Sequence, residues 1–243
     1  MLFWSEGVRP SQIPRRAWFW VEQRFSVALL NLRNPGFSRR GFAVAGCYDF
    51  RVGAFLRIVG WLACVVYSTV PLFWLMIHPF ADRWRARKRS PYRVLVPAWI
   101  AMWAATAQIT APWRNVVLYR TAWVWIPAVL LFALGLFIYS RSGKNFSAKQ
   151  LGGLPEVQGN HREQRLATGG IRSRIRHPLY AAHLCQMAAW SIGSGLAVCW
   201  GLTAFAIVTG ALMIRMEDKE LEQRFGDAYR LYRNSVPAVI PRA

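Results

Sequence analysis

The sequence predicts an all-α integral membrane protein with about five transmembrane helices. Three observations lead there. The chain has 243 residues, of which 54% are hydrophobic and 14% aromatic, yet its formal charge is +20, from 31 Lys and Arg against 11 Asp and Glu. Its apolar residues fall into blocks of membrane length, and its basic residues fall between those blocks. Basic and charge-poor connections also alternate along the chain. A soluble domain this basic would suggest a nucleic-acid binder, but no RNP, zinc-finger or helix-turn-helix pattern accompanies the charge. The basicity therefore reads as topology, with the lipid bilayer as the first partner and no nucleic acid.

Crossing a hydrocarbon core of about 30 Å takes roughly 20 apolar residues. Five segments qualify or come close: Ile58 to Ile77, Val94 to Thr110, Trp123 to Tyr139, Leu179 to Ile192 and Leu196 to Ile214. The fourth is short. It meets the fifth through "GSG" (Gly193 to Gly195), a link tight enough to make the two an antiparallel helical hairpin.

Charge orients these spans. Ala81 to Arg93 carries six Lys or Arg, Ser140 to Pro178 carries eight, and the tail from Arg215 carries six. Ala111 to Ala122 carries two and the Gly193 to Gly195 turn none. The positive-inside rule therefore places the three basic segments, including the C-terminus, in the cytoplasm of a multi-pass protein. Residues 1–57, with nine arginines, break the alternation. Two readings accommodate them: Arg15 to Leu30 is a basic interfacial helix, or Val52 to Phe80, containing Pro71, is a re-entrant hairpin. Arginines and Pro14 interrupt any early apolar run, so no cleavable signal peptide is expected. Three regions result: a basic N-terminal region at 1–57, three spans at 58–139, and a core at 140–243.

Chemistry concentrates in that core. The chain's four cysteines offer nothing comparable, since Cys47, Cys64, Cys185 and Cys199 lie far apart and suggest neither a disulfide framework nor a metal site. Pro178 suits the first position of a helix, which puts Arg174, Arg176 and His177 around its positive end, an arrangement suited to an anion or to lipid headgroups. The fifth helix has no breaker before Gly226, so it continues past the membrane. Arg215, Glu217 and Asp218 sit where it emerges, level with His177. One end cationic and one anionic suit a zwitterion or a cation. Lys219, Glu220 and Glu222 read instead as a solvated helix face. In the fourth helix Tyr180, His183, Gln186 and Trp190 share one face, and either bond to neighbouring helices or line an acceptor cavity.

These residues carry a resemblance. "LATGGIRSRIRHPLY" (Leu166 to Tyr180) and, after the hairpin, "RMEDKELEQRFGDAYRLYRNSVPAVIP" (Arg215 to Pro241) resemble the C-terminal signature of the isoprenylcysteine carboxyl methyltransferase and phospholipid methyltransferase superfamily. The resemblance covers roughly the last hundred residues and implies an integral membrane enzyme that uses S-adenosylmethionine on a lipophilic acceptor, a carboxylate, thiol or lipid headgroup. It implies cofactor contacts at Gln150, Gln164, Arg165, Leu166, Ala167, His177, Pro178, Leu179, Tyr180 and Glu217, and a cofactor site facing the cytoplasm. Arg215, near the superfamily's acceptor position but on a different helix face, is taken as an acceptor contact, with His183 and Gln186 added from the face of the fourth helix. No residue is assigned as a catalytic base, and no metal is implied. The sequence departs from the pattern at Arg172, where the superfamily has Tyr, and at Met213, where its carboxyl methyltransferases place the arginine that holds the substrate carboxylate. Two rival classes share part of the pattern. Membrane reductases that bind NADPH share the helix hairpin but continue it differently from "RHPLYAAH", and a non-catalytic membrane component would explain the arginines but not the paired motifs.

Overall fold

The computed structural model describes residues 50–87, 90–143 and 166–241, all within the unit Cys47–Ala243. The described residues are helical, with no strand beyond one isolated bridge. The expected N-terminal interfacial helix at Arg15 to Leu30 lies outside them.

Helix α1, Phe50–Leu75, runs unbroken through Pro71. At 1.5 Å per residue its 26 residues reach about 39 Å, enough to cross a bilayer with some tilt. Pro71 does not fold the segment back on itself, so the re-entrant hairpin considered for Val52 to Phe80 is not what forms. A short turn at His78–Phe80 leads into α2, Ala81–Arg85. Helix α3, Tyr92–Thr110, returns along α1, and two indoles tie the pair together. Trp61 Nε1 donates to Thr110 Oγ1 at 3.0 Å, and Trp99 Nε1 donates to Thr69 Oγ1 at 3.0 Å. Helix α4 is Trp125–Gly143. Two helices then form the expected hairpin, α5 at Pro178–Ser194 and α6 at Ala197–Phe225, and α7 at Asp227–Ser235 follows.

Among the described residues, four helices are long and apolar enough to cross a membrane by length and composition: α1 continued through α2, α3, α4 and α6. Only 11% of the apolar stretch of α3 and 17% of that of α4 is buried within the protein, against 50% for α1. Helices α3 and α4 therefore present apolar side chains outward, among them Ile100, Ile109, Leu130 and Leu134, as lipid-facing helices do. The fourth expected span, α5, has 17 residues, about 25 Å. It is enclosed by α1, α4 and α6, which explains how a helix this polar is accommodated. Small residues bring α4 and α5 close. A Cβ on Gly135 would stand 2.8 Å from Gln186 Nε2 and 3.1 Å from the Ala182 carbonyl oxygen.

The hairpin turn is fixed by Gly195, whose φ of 64° lies in the left-handed region and closes α5. A Cβ there would stand 2.5 Å from the Tyr119 carbonyl oxygen, so the turn packs directly onto the α3–α4 connection. Leu118 N donates to Gly195 O at 2.8 Å and Ala197 N to Val116 O at 3.0 Å. The two charge-poor connections thus meet at one end of the bundle. The other end collects His78, Arg85, Arg176, His177 and the end of α6. The alternation seen in sequence is a physical division between two ends.

Candidate functional site

The site is built where α5 begins and α6 leaves the bundle. His177 is the N-cap residue of α5 and Pro178 its first residue, which needs no N–H partner. Both are buried. Residues 217 and 218 project from α6 on either side of the imidazole. Glu217 Oε2 lies 3.1 Å from His177 Nδ1, and Nε2 donates to Asp218 Oδ1 at 2.9 Å. Burial alone would push the His177 pKa down. The Glu217 charge and the hydrogen bond to Asp218 outweigh that and hold it at about 9, so the ring is an imidazolium at neutral pH.

Asp218 organises the rest. It accepts from Arg176 Nη2 at 3.0 Å and from the Tyr229 hydroxyl of α7. Arg176 Nη1 also donates to the carbonyls of Arg233, at 3.0 Å, and Val236. The segment after α7 then runs beside the start of α5, with Arg176 N donating to Pro237 O at 2.9 Å and His177 N to Ala238 O at 2.8 Å. The sequence suggested that Arg176 and His177 form a cationic pole open to an anion. Instead both are engaged by α6 acids and by the C-terminal segment. Arg174 and Arg215 are exposed.

Glu217 is different. Its side chain is 23% exposed, and Oε2, although in ion-pair range of His177, accepts no hydrogen bond among the described residues. It is a carboxylate oxygen with acceptor capacity to spare.

Glu220, expected on a solvated face, is buried. Its Oε2 lies 3.0 Å from His78 Nδ1 and its Oε1 accepts from Arg85 Nη2 at 2.7 Å, with Trp74 stacked on the His78 ring. The reason is helical phase: Met213, Glu217 and Glu220 are four and three residues apart, one face of α6, and that face is turned inward. The signal was available in the spacing and in a histidine, His78, set just beyond an apolar stretch.

An apolar cavity of about 240 Å³ adjoins the cluster, between α1, α5 and α6. Its lining includes Tyr67, Tyr180 and His183, and the C-terminal residues Val239 and Ile240 close one side. Tyr180 stands between cavity and cluster: its ring centroid is 6.1 Å from that of His177, and its hydroxyl donates to Met213 Sδ at 2.8 Å. Leu179, half-buried, offers its carbonyl to His183 Nδ1 at 2.6 Å.

The two residues expected to share acceptor contacts part company. His183 lines the cavity, whereas Gln186 is fully buried with its Nε2 donating to Phe132 O of α4 at 3.2 Å. Gln186 thus makes a helix-to-helix contact through Nε2, while its Oε1 is buried with no hydrogen-bond partner among the described residues. Of the expected cofactor contacts, Leu166 is half-buried and Ala167 exposed, on the irregular segment before the turn at Gly170–Ser173. Gln150, Gln164 and Arg165 lie outside the described residues.

No protein-family model matches the chain. A stretch of 59 residues, 24% of the chain, is 34% identical to an uncharacterized protein of Haemophilus influenzae (strain ATCC 51907 / DSM 11121 / KW20 / Rd), covering 94% of that protein's length. On that coverage the chain belongs to one family with this protein, whose description assigns no activity.

Proposed function

We propose that the protein is a multi-pass membrane methyltransferase that uses S-adenosylmethionine and acts on a lipophilic acceptor, with its site and C-terminus facing the cytoplasm. One observation carries this reading. Glu217, with a buried acceptor oxygen to spare, stands beside His177, and Tyr180 separates the pair from an apolar cavity, in the "RHPLY" and acidic-helix arrangement on which the resemblance rests.

The residues present fit the cofactor. Its ammonium group needs a carboxylate that is not already saturated, and Glu217 Oε2 is one. His177, Pro178, Leu179 and Tyr180 would form the adjoining wall, with Leu166 and Ala167 on the segment that approaches it. Gln150, Gln164 and Arg165 complete the set that the resemblance implies. S-Adenosylmethionine brings a methyl group already activated by its sulfonium. What remains for the protein is to orient, to exclude water and to match charge. The His177 imidazolium stabilises the Glu217 carboxylate beside it. Arg176 and Tyr229 hold Asp218, and through it the ring. The apolar lining of the cavity gives a dry environment and favours a lipophilic acceptor arriving from the bilayer. The orientation follows from charge: the end of the bundle holding His177 is also the end where basic residues gather, and such ends face the cytoplasm.

Titration of the purified, detergent-solubilised protein with S-adenosylmethionine, and separately with NADPH, tests the reading. Binding of the first is expected. Charge-assisted bonds contribute about 1.5 to 3 kcal/mol, so Glu217→Gln should weaken it by about tenfold or more. Unchanged affinity in that variant, or binding of NADPH alone, would overturn the assignment.

A further inference from the structure

The cavity has one polar feature whose chemistry is fixed by geometry. Nδ1 of His183 is 2.6 Å from the Leu179 carbonyl oxygen, which can only accept, so Nδ1 carries the hydrogen. In a neutral imidazole the lone pair then belongs to Nε2. No acidic residue lines the cavity to favour the imidazolium. Nε2 has no hydrogen-bond partner among the described residues, and the ring is wedged between Tyr67 and Tyr139, each edge-on at 5.3 Å. The hydroxyl of Tyr180, the neighbouring polar group, is already given to Met213 Sδ.

His183 thus brings a fixed lone pair to a wall whose other lining residues are aliphatic apart from Tyr67 and Tyr180. We infer that the cavity binds a neutral amphiphile through a hydroxyl group that donates its hydrogen to Nε2 of His183. A carboxylate fits poorly, because its oxygens would meet the lone pair and no Lys or Arg lines the cavity to offset the charge. An ether or a hydrocarbon would leave the nitrogen unmet. The volume, about 240 Å³, lies below the roughly 300 to 1,000 Å³ of drug-sized pockets, so it takes a short chain or a ring rather than a whole lipid. That this hydroxyl compound is the methyl acceptor rests on the methyltransferase reading. The binding site itself does not.

The experiment compares 1-hexanol, its methyl ether and hexanoate, titrated calorimetrically into the solubilised full chain. A net hydrogen bond corresponds to a preference of about three- to tenfold, so the alcohol should bind that much more tightly than the ether, with hexanoate weakest. His183→Phe keeps an aromatic ring and removes the acceptor, and should erase the difference between alcohol and ether. Gly210→Leu tests the location from the opposite wall. A Cβ at Gly210 meets only Pro71 Cγ, at 3.9 Å, so the larger side chain enters the cavity and should weaken alcohol and ether together. Should His183→Phe not fold, the ¹⁵N resonance of Nε2 in the unaltered protein gives the same answer: it moves with hexanol and not with the ether. Equal binding of alcohol and ether, a preference that survives His183→Phe, tightest binding of hexanoate, or an unmoved Nε2 resonance would each overturn the inference. Loss of S-adenosylmethionine binding with the alcohol preference intact would instead count against the methyltransferase reading alone.

Discussion

Asp218 is the junction through which α5, α6, α7 and the C-terminal segment are held, and Asp218→Asn is the substitution that most directly tests it. The aspartate receives three hydrogen bonds: from His177 Nε2, from Arg176 Nη2 and from the Tyr229 hydroxyl. Asparagine keeps the shape, but one carboxylate oxygen becomes an NH₂ group that must face a donor. It also removes the charge that, with Glu217, balances His177 and Arg176. Breaking a buried ion pair by deleting one partner costs about 3 to 5 kcal/mol. The Asp218 side chain retains 13% exposure, which favours the lower figure, about 3 kcal/mol. For a chain of this length each kcal/mol corresponds to about 2 to 4 °C, so the melting temperature should fall by roughly 6 to 12 °C.

Intrinsic indole fluorescence during heating of the solubilised protein reads this directly. Asp227→Asn is the matched control, because Asp227 pairs with Arg230 at a site where the acid is 87% exposed and such pairs contribute little. Its melting temperature should move by less than about 2 °C. Equal small shifts in both variants would refute the reasoning, since they would mean that the Asp218 contacts are no stronger than a surface pair.

Three further predictions follow from other parts of the structure. The His177 pKa is raised to about 9 in the folded protein from an ordinary value near 6.5, so its contribution to stability, about 3 kcal/mol, is fully present below pH 6.5 and lost as pH rises through 9. Melting curves between pH 6 and 10 should show that decline, and His177→Gln should flatten it. Gly195→Ala forces a side chain into a left-handed conformation and against the Tyr119 carbonyl, and should destabilise by at least about 2 kcal/mol, whereas Gly201→Ala, in open space on α6, should stabilise slightly. Cysteines placed at Arg87 and Arg230, in a version without native cysteines, should label from the same side of the membrane, and labelling from opposite sides would break the reading of the two bundle ends.

The hairpin, its turn and the start of α5 were legible in the sequence because each depends on local chemistry: Pro178 at a helix start, Gly195 at a helix end, an unbroken helical run from Ala197 to Phe225. The meeting of His177 with Glu217 and Asp218 was legible as well, because a tight hairpin forces the two helix ends level. What was not legible depends on partners distant in sequence. Glu220 looks solvated until the turn after α1 supplies His78 and α2 supplies Arg85. Gln186 and His183 lie on one face by spacing alone, yet α4 takes the first and the cavity keeps the second. Periodicity assigns residues to a face but does not say which neighbour that face meets.

The concentration of arginine beside the membrane has, on this structure, two different causes. Arg176 and Arg85 are each largely buried and each bonded to a carboxylate of α6, Asp218 in one case and Glu220 in the other. They hold α6 to the start of α5 and to α2, and replacing either with lysine would lose the planar geometry that lets one guanidinium serve several acceptors. Arg174 and Arg215 are exposed at the same end of the bundle. Their positive charge suits anionic headgroups, a role that lysine would fill equally well. Arg176→Lys should therefore lower the melting temperature while Arg215→Lys leaves it unchanged, although the two substitutions conserve charge alike. If both were neutral, the arginines would all be serving topology, and the contacts of Arg176 with Arg233, Val236 and Asp218 would contribute nothing to holding the site together.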